Sequence, residues 1–187
     1  MNKELRIKNL SKGLILGREA PVLRLVAKPV SLKAIGSQKI LSILNKMKKA
    51  LHAEDDGVAI AAPQVGESLR MFVVSGEALA MAQKKKADSL EKLEDLVFIN
   101  PEIIKTSKKK KKMEEGCLSL RYLYGQVERH EKVTITAYDE TGRRRTHGTS
   151  GLLAQIFQHE TDHLNGILFT DKAENVEDLP PPDSEVK

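Results

Sequence analysis

Gln158-His159-Glu160-Thr161-Asp162-His163-Leu164-Asn165-Gly166 is the stretch on which the reading of this chain turns. Two imidazoles stand four residues apart, with a carboxylate directly after the first. On an α-helix, residues at i and i+4 lie one above the other on one face, so both rings reach a single metal ion. Glu160 falls about 100° around the helix from His159, near enough to touch a water on such an ion without being a ligand. A carboxylate placed there takes the proton of that water as it attacks a carbonyl. The plainer alternative is a pair of surface histidines on an amphipathic helix.

The flanking residues predict the helix itself. Thr149 or Ser150 can cap its start, and Leu152, Ile156, His159 and His163 recur at spacings of four, three and four. That is one helical stripe, so the histidines share a face with buried aliphatics. Gly166 stands where a C′ glycine would stop the helix. Core-facing imidazoles need partners, because an unsatisfied one is costly to bury. A metal satisfies both.

A catalytic metal site takes three protein ligands and keeps a position open. The extended pattern His-Glu-x-x-His-x-x-Gly-x-x-His holds here as far as Gly166 and then meets Phe169 in place of a histidine. A glutamate from a later helix would have to be Glu174, Glu177 or Glu185. Their segment is dominated by Pro180-Pro181-Pro182, a poor setting for a helix. Both metalloprotease patterns therefore fail at the third ligand. The remaining candidate lies upstream at Cys117, the single cysteine of the chain, within Glu115-Gly116-Cys117-Leu118-Ser119.

With those residues in view, the chain resembles a peptide deformylase. Three motifs of that family occur in order: Gly57-Val58-Ala59-Ile60-Ala61-Ala62-Pro63-Gln64, then Glu115-Gly116-Cys117-Leu118-Ser119, then Gln158 to Leu164. Ala20-Pro21-Val22-Leu23-Arg24 and Phe98-Ile99-Asn100-Pro101 agree as well. The resemblance implies an α+β fold in which antiparallel β-sheets pack around a C-terminal helix carrying the His-Glu-x-x-His motif. It implies removal of the N-formyl group from formyl-methionine at the start of newly made proteins, with release of formate. By the same resemblance Cys117, His159 and His163 hold one divalent metal, ferrous iron in the working enzyme, with zinc, nickel or cobalt able to take its place. Spacing alone suggests zinc. Glu160 is the implied base, Gln64 (side-chain amide) and Leu118 (backbone N–H) the implied oxyanion donors. Val58, Ala59, Ile60 and Gly116 would hold the peptide backbone by strand addition. Two departures stand out. Ala59 occupies a position usually held by glycine, so its methyl either narrows the substrate's approach or simply packs. Leu120-Arg121 follows the serine where the family usually has Ile-Pro or a similar pair, which bears on the substrate rim. A non-catalytic metal-binding or ribosome-associated relative is the rival from another class, and retention of Glu160 and Gln64 argues against it.

The rest of the chain fits one domain. At 187 residues it can bury a proper core, and with aromatics at only 4% that core is expected to be aliphatic. The catalytic domain is expected over 1–172, followed by an acidic, proline-rich and disordered tail over 173–187. No apolar run is long enough to span a membrane, and one cysteine allows no internal disulfide, which suits a reducing, bacterial-type cytoplasm. The net charge of +5 is concentrated in Lys84–Lys86 and Lys108–Lys112. Transient ribosome contact is one reading of these clusters, and a solvated hairpin tip and loop is the favoured one. Base stacking has no support without interleaved aromatics, so no sequence-specific nucleic-acid partner is expected. Periodicity predicts a helix over 37–53 capped by Ser37, strands over 69–74, 96–104 and 133–138, a hairpin at Asp139–Gly142, and a short helix or excursion over 77–96.

Overall fold

The computed structural model describes residues 14–83 and 94–179. Its organising unit is a five-stranded antiparallel sheet in the order β1-β2-β3-β6-β7, built from Ala59–Ala61, Met71–Val74, Leu96–Thr106, Lys132–Tyr138 and Arg144–Ser150. Because strand side chains alternate between faces, the central run Met71-Phe72-Val73-Val74 supplies two layers at once. Met71 and Val73, with Ile60 and Ile99, pack against Ile43, Leu44, Met47 and Leu51 of helix α1 (Gln38–Leu51). Phe72 and Val74, with Ala59, Ala61 and Phe98, face helix α3 (Gly151–Leu164) on the other side. The expectation of an aliphatic core holds on the α1 side only. Phe72, Phe98 and Phe157 form a ring cluster under α3, with centroids of Phe72–Phe98 and Phe98–Phe157 at 4.6 and 4.9 Å.

Helix α1 starts where the sequence predicts, with the Ser37 side chain accepting from the Ile40 N–H. The excursion after β2 opens as a helix, α2 (Gly76–Ala82), capped by Ser75; Lys84–Lys86 lie outside the described residues. At the start of α3, Ser150 occupies the capping position but makes no side-chain cap bond. The end of α3 is as predicted. Gly166 has φ +72, and the bonds Gly166 N–H to His163 O and Ile167 N–H to Asp162 O close a Schellman motif. A Cβ at Gly166 would lie 2.7 Å from the Arg24 carbonyl oxygen, so both the turn and the close approach require glycine.

A second antiparallel sheet has the order β4-β5-β8: Lys110–Gly116, Leu123–His130 and Glu174–Asp178. Strand β8 corrects the expected boundary at 172. Residues 174–178 pair with β5 in the register Leu123↔Asp178 and Tyr124↔Glu177, so the start of the acidic segment is ordered by its neighbour and not by its own propensity. The proline run from Pro180 lies outside the described residues. Gln158 ties α3 to this sheet, its amide both accepting from and donating to the His130 backbone at 3.0 Å. Helix α3 therefore touches both sheets. No helix among the described residues is long and apolar enough to cross a membrane.

Candidate metal centre

Helix α3 presents His159, Glu160 and His163 toward the 3₁₀ turn Leu118–Leu120 that leaves β4. Cys117 sits at the cap of that turn, its Sγ 3.3 Å from His163 Nε2. One donor atom from each of Cys117, His159 and His163 lies within 4.8 Å of the other two. The sequence's two-plus-one ligand set, separated by some forty positions, is thus a single cluster in space.

The cluster combines a thiolate with two imidazoles, donor types that a divalent ion takes. Burial alone would raise the Cys117 thiol, but the His163 and His159 imidazoles beside it bring it down to about 5, so it is a thiolate at neutral pH. His159 donates through Nδ1 to Glu115 Oε2 at 3.0 Å, which fixes its tautomer and leaves Nε2 to the cluster. Although burial works against it, contact with Cys117 and Glu115 holds the His159 pKa well above its ordinary value, so an ion binding at Nε2 has to displace a proton. These features fit a divalent ion: a thiolate, two imidazoles, and a carboxylate orienting one imidazole from behind.

Glu160 lies beside the cluster and is 4% exposed, with Oε2 buried and without a hydrogen-bond partner. Burial raises its pKa, opposed by the two histidines. A carboxylate so placed is a better proton acceptor than one in water. Gln64, 2% exposed, is locked by accepting the Ala61 N–H at 2.8 Å through Oε1. That leaves its Nε2 aimed at Ser119 Oγ (3.2 Å) and Cys117 Sγ (3.7 Å). The N–H of Leu118, first in its 3₁₀ turn, has no acceptor within that turn.

A cleft of about 380 Å³ opens over these groups. Val58 and Ala59 line one side and Gly116 another. Both β1 and β4 are edge strands of their sheets, so each offers unpaired backbone groups to an extended chain. Ile60 is fully buried on the α1 side and is not among the lining residues. Ala59 is 5% exposed and packs in the apolar cluster under α3 while bordering the cleft. Gly116 is crowded, since a Cβ there would meet the Tyr124 ring at 2.9 Å.

Sequence reasoning missed several residues here. Leu152, Gln155 and Ile156 line the cleft from α3, and Gln155 Nε2 donates to the Glu114 carbonyl at 2.7 Å. Their position one and two turns before His159 was the available signal. Behind the cluster, Arg129 (3% exposed) bonds both Glu115 oxygens at 2.7 and 2.9 Å and Asp162 at 2.6 Å. Lys172 completes this network on Asp162 at 2.7 Å. Against a burial effect that would raise it, Arg129 and His159 hold Glu115 well below the usual carboxylate range, at about 2.

The chain is also similar to known proteins. The family described as polypeptide deformylase matches residues 14–178. The chain is 41% identical over 157 residues to a peptide deformylase of Carboxydothermus hydrogenoformans, covering 83% of this chain and 90% of that one. Against a peptide deformylase of Halothermothrix orenii the figures are 42%, 81% and 87%. Among solved structures, that of a Synechococcus elongatus peptide deformylase in complex with actinonin superposes with a TM-score of 0.71 at 37% identity, covering 86% of this chain and 78% of that one. A Met-Ala-Ser bound class I type b peptide deformylase from Acinetobacter baumannii gives 0.72 at 34%, with coverage of 84% and 96%.

Proposed function

The chain belongs to the peptide deformylase family, and from that premise we propose that Cys117, His159 and His163 hold one divalent ion, ferrous iron in the working enzyme, while Glu160 carries the proton. The enzyme removes the N-formyl group from newly made proteins. The observation that carries the assignment of roles is the convergence of three donor atoms within 4.8 Å beside a buried carboxylate with a free oxygen. When bound, the ion supplies Lewis acidity that makes water a nucleophile near neutral pH.

The protein's own groups account for the remaining work. Glu160 accepts a proton as water attacks the formyl carbon, and passes it to the amine that leaves. Gln64 Nε2 and the Leu118 N–H donate to the oxygen on which charge develops, a contribution of about 3 kcal/mol for one such donor. Gly116 on β4, with Val58 and Ala59 at the start of β1, holds the substrate backbone between two strand edges. Leu152 and Ile156 give the methionine side chain an apolar wall. Glu115, backed by Arg129, keeps His159 in its ligating orientation. The reading places the enzyme in the cytoplasm. It also includes transient ribosome contact through Lys108 and Lys111, which carry no ion pair among the described residues.

Formate release from formyl-Met-Ala-Ser, measured anaerobically with ferrous iron, tests the assignment. Glu160→Gln is expected to retain its metal and to lose at least ~10² in rate. A variant working at the parent rate would move the base elsewhere, and an iron-loaded parent that releases no formate would sink the reading itself.

A further inference from the structure

Among the described residues, three non-glycine residues have a left-handed backbone: Asn100, Tyr122 and Asn175, at φ 51, 68 and 52. Asparagine takes this conformation readily, because its short amide can bond the backbone nearby. Asn100 is further held by bonding the Val30 N–H and carbonyl. Tyrosine has no such compensation, and its Cβ opposes the conformation.

Tyr122 lines the same cleft as Cys117 and Glu160. It is held there from two directions. Just before it, Arg121 bonds both Asp56 oxygens at 2.8 and 2.9 Å and also Glu54, anchoring the turn to the segment that enters β1. On the other side the Tyr122 carbonyl accepts the Leu179 N–H at 2.8 Å, and Leu123 pairs with Asp178 of β8. Strain kept at a cleft wall and over-determined by its neighbours marks a residue retained for what it does there. A peptide extended between the edges of β1 and β4 advances about 3.3 Å per residue, so residues after methionine run past the groups beyond the metal cluster.

We propose that Tyr122 is a specificity-determining residue, a wall met by the substrate residues that follow formyl-methionine, with Arg121 and β8 as the positioning elements that hold it in its left-handed conformation. This rests on the deformylase reading above and goes beyond it, since the chemistry at Glu160 does not require Tyr122.

The decisive variant is Tyr122→Gly, because glycine adopts positive φ without steric cost. Function and stability should then move apart. The melting temperature is expected to hold or rise, while KM for formyl-Met-Ala-Ser increases about fivefold or more. For formyl-methionine amide, which lacks the following residues, KM and kcat should stay within about twofold of the parent. Tyr122→Asn, whose backbone also tolerates the turn, should reproduce the kinetic pattern. Equal changes on the long and short substrates, or a lower melting temperature with unchanged KM, would make Tyr122 a packing residue and overturn the proposal. Failure of the parent on both substrates would instead sink the deformylase reading on which it rests.

Discussion

Strand β4 carries charge in two different settings. Along its first half, Lys110 and Lys112 reach Glu128 and Glu174 at 3.0 and 2.6 Å, with every one of these side chains at least 42% exposed. At its far end Glu115 is 2% exposed, gripped by Arg129 and bonded to His159. The same strand thus holds a solvated ladder and a buried network a few residues apart. Exposed pairs gain little, because water screens them and two long side chains must be held still. The buried group has no such freedom. Once desolvated, Glu115 must keep its partners, and that obligation gives His159 a fixed orientation. The lysine run favoured as a solvated feature belongs to the first setting.

The sharpest break comes from Arg129→Met, which leaves buried Glu115 with His159 alone and takes from Asp162 one of its two side-chain partners. The expected cost is about 3–5 kcal/mol of folding stability, read by urea denaturation, with metal affinity lower by about 10–100-fold as His159 loses its support. A loss under about 1 kcal/mol would put the buried network on the same footing as the lysine ladder and erase the contrast.

What the sequence could disclose follows the same line. The helix carrying His159 and His163 was legible because its signals are local: an i, i+4 pair, an apolar stripe, and Gly166 at its end. Cys117 was reachable by elimination, being the only cysteine. Arg129 was not, because its role depends on which face of β5 turns inward and on the packing of α3 against that face. Strand β8 was missed for a related reason. Glu174-Asn175-Val176-Glu177-Asp178 is acidic and exposed throughout, so its order comes from pairing with β5, which no local pattern announces. Leu152 and Ile156 were read as one buried stripe, whereas the stripe's outer end borders the cleft.

Asp139 sharpens the comparison from a third setting, a hairpin turn where a partly exposed carboxylate is held by short-range partners. Its Oδ1 accepts from Thr141 Oγ1 at 2.6 Å and from the Thr141 and Arg143 N–H groups at 3.0 and 2.9 Å. Burial would raise its pKa, and these donors together with Arg145 overcome that to bring it to about 2. A depressed carboxylate stabilises the fold above its unfolded pKa and loses that contribution as pH falls through the folded value. For Asp139 the window runs from about 4 down to about 2. Carboxyl NMR should give a midpoint near 2, moving up in Thr141→Ala. A midpoint at the ordinary value would show the turn too loose to hold its donors.

The smallest effect is expected from Lys112→Gln. Lys112 reaches over β5 to Glu174 on β8, so a critic could assign it the task of holding β8, and through β8 the Tyr122 turn. The geometry argues otherwise. Strand β8 is fixed to β5 by backbone pairing at Leu123, Tyr124 and Gln126, none of which needs the lysine, and both partners of the ion pair are more than half exposed. Removing the charge should therefore shift the melting temperature by less than about one degree. Half-molar salt should mask even that. KM for formyl-Met-Ala-Ser should not move. A drop of several degrees that persists in high salt, or a raised KM, would mean that the exposed ladder supports the cleft wall, and the two halves of β4 would then differ in exposure but not in consequence.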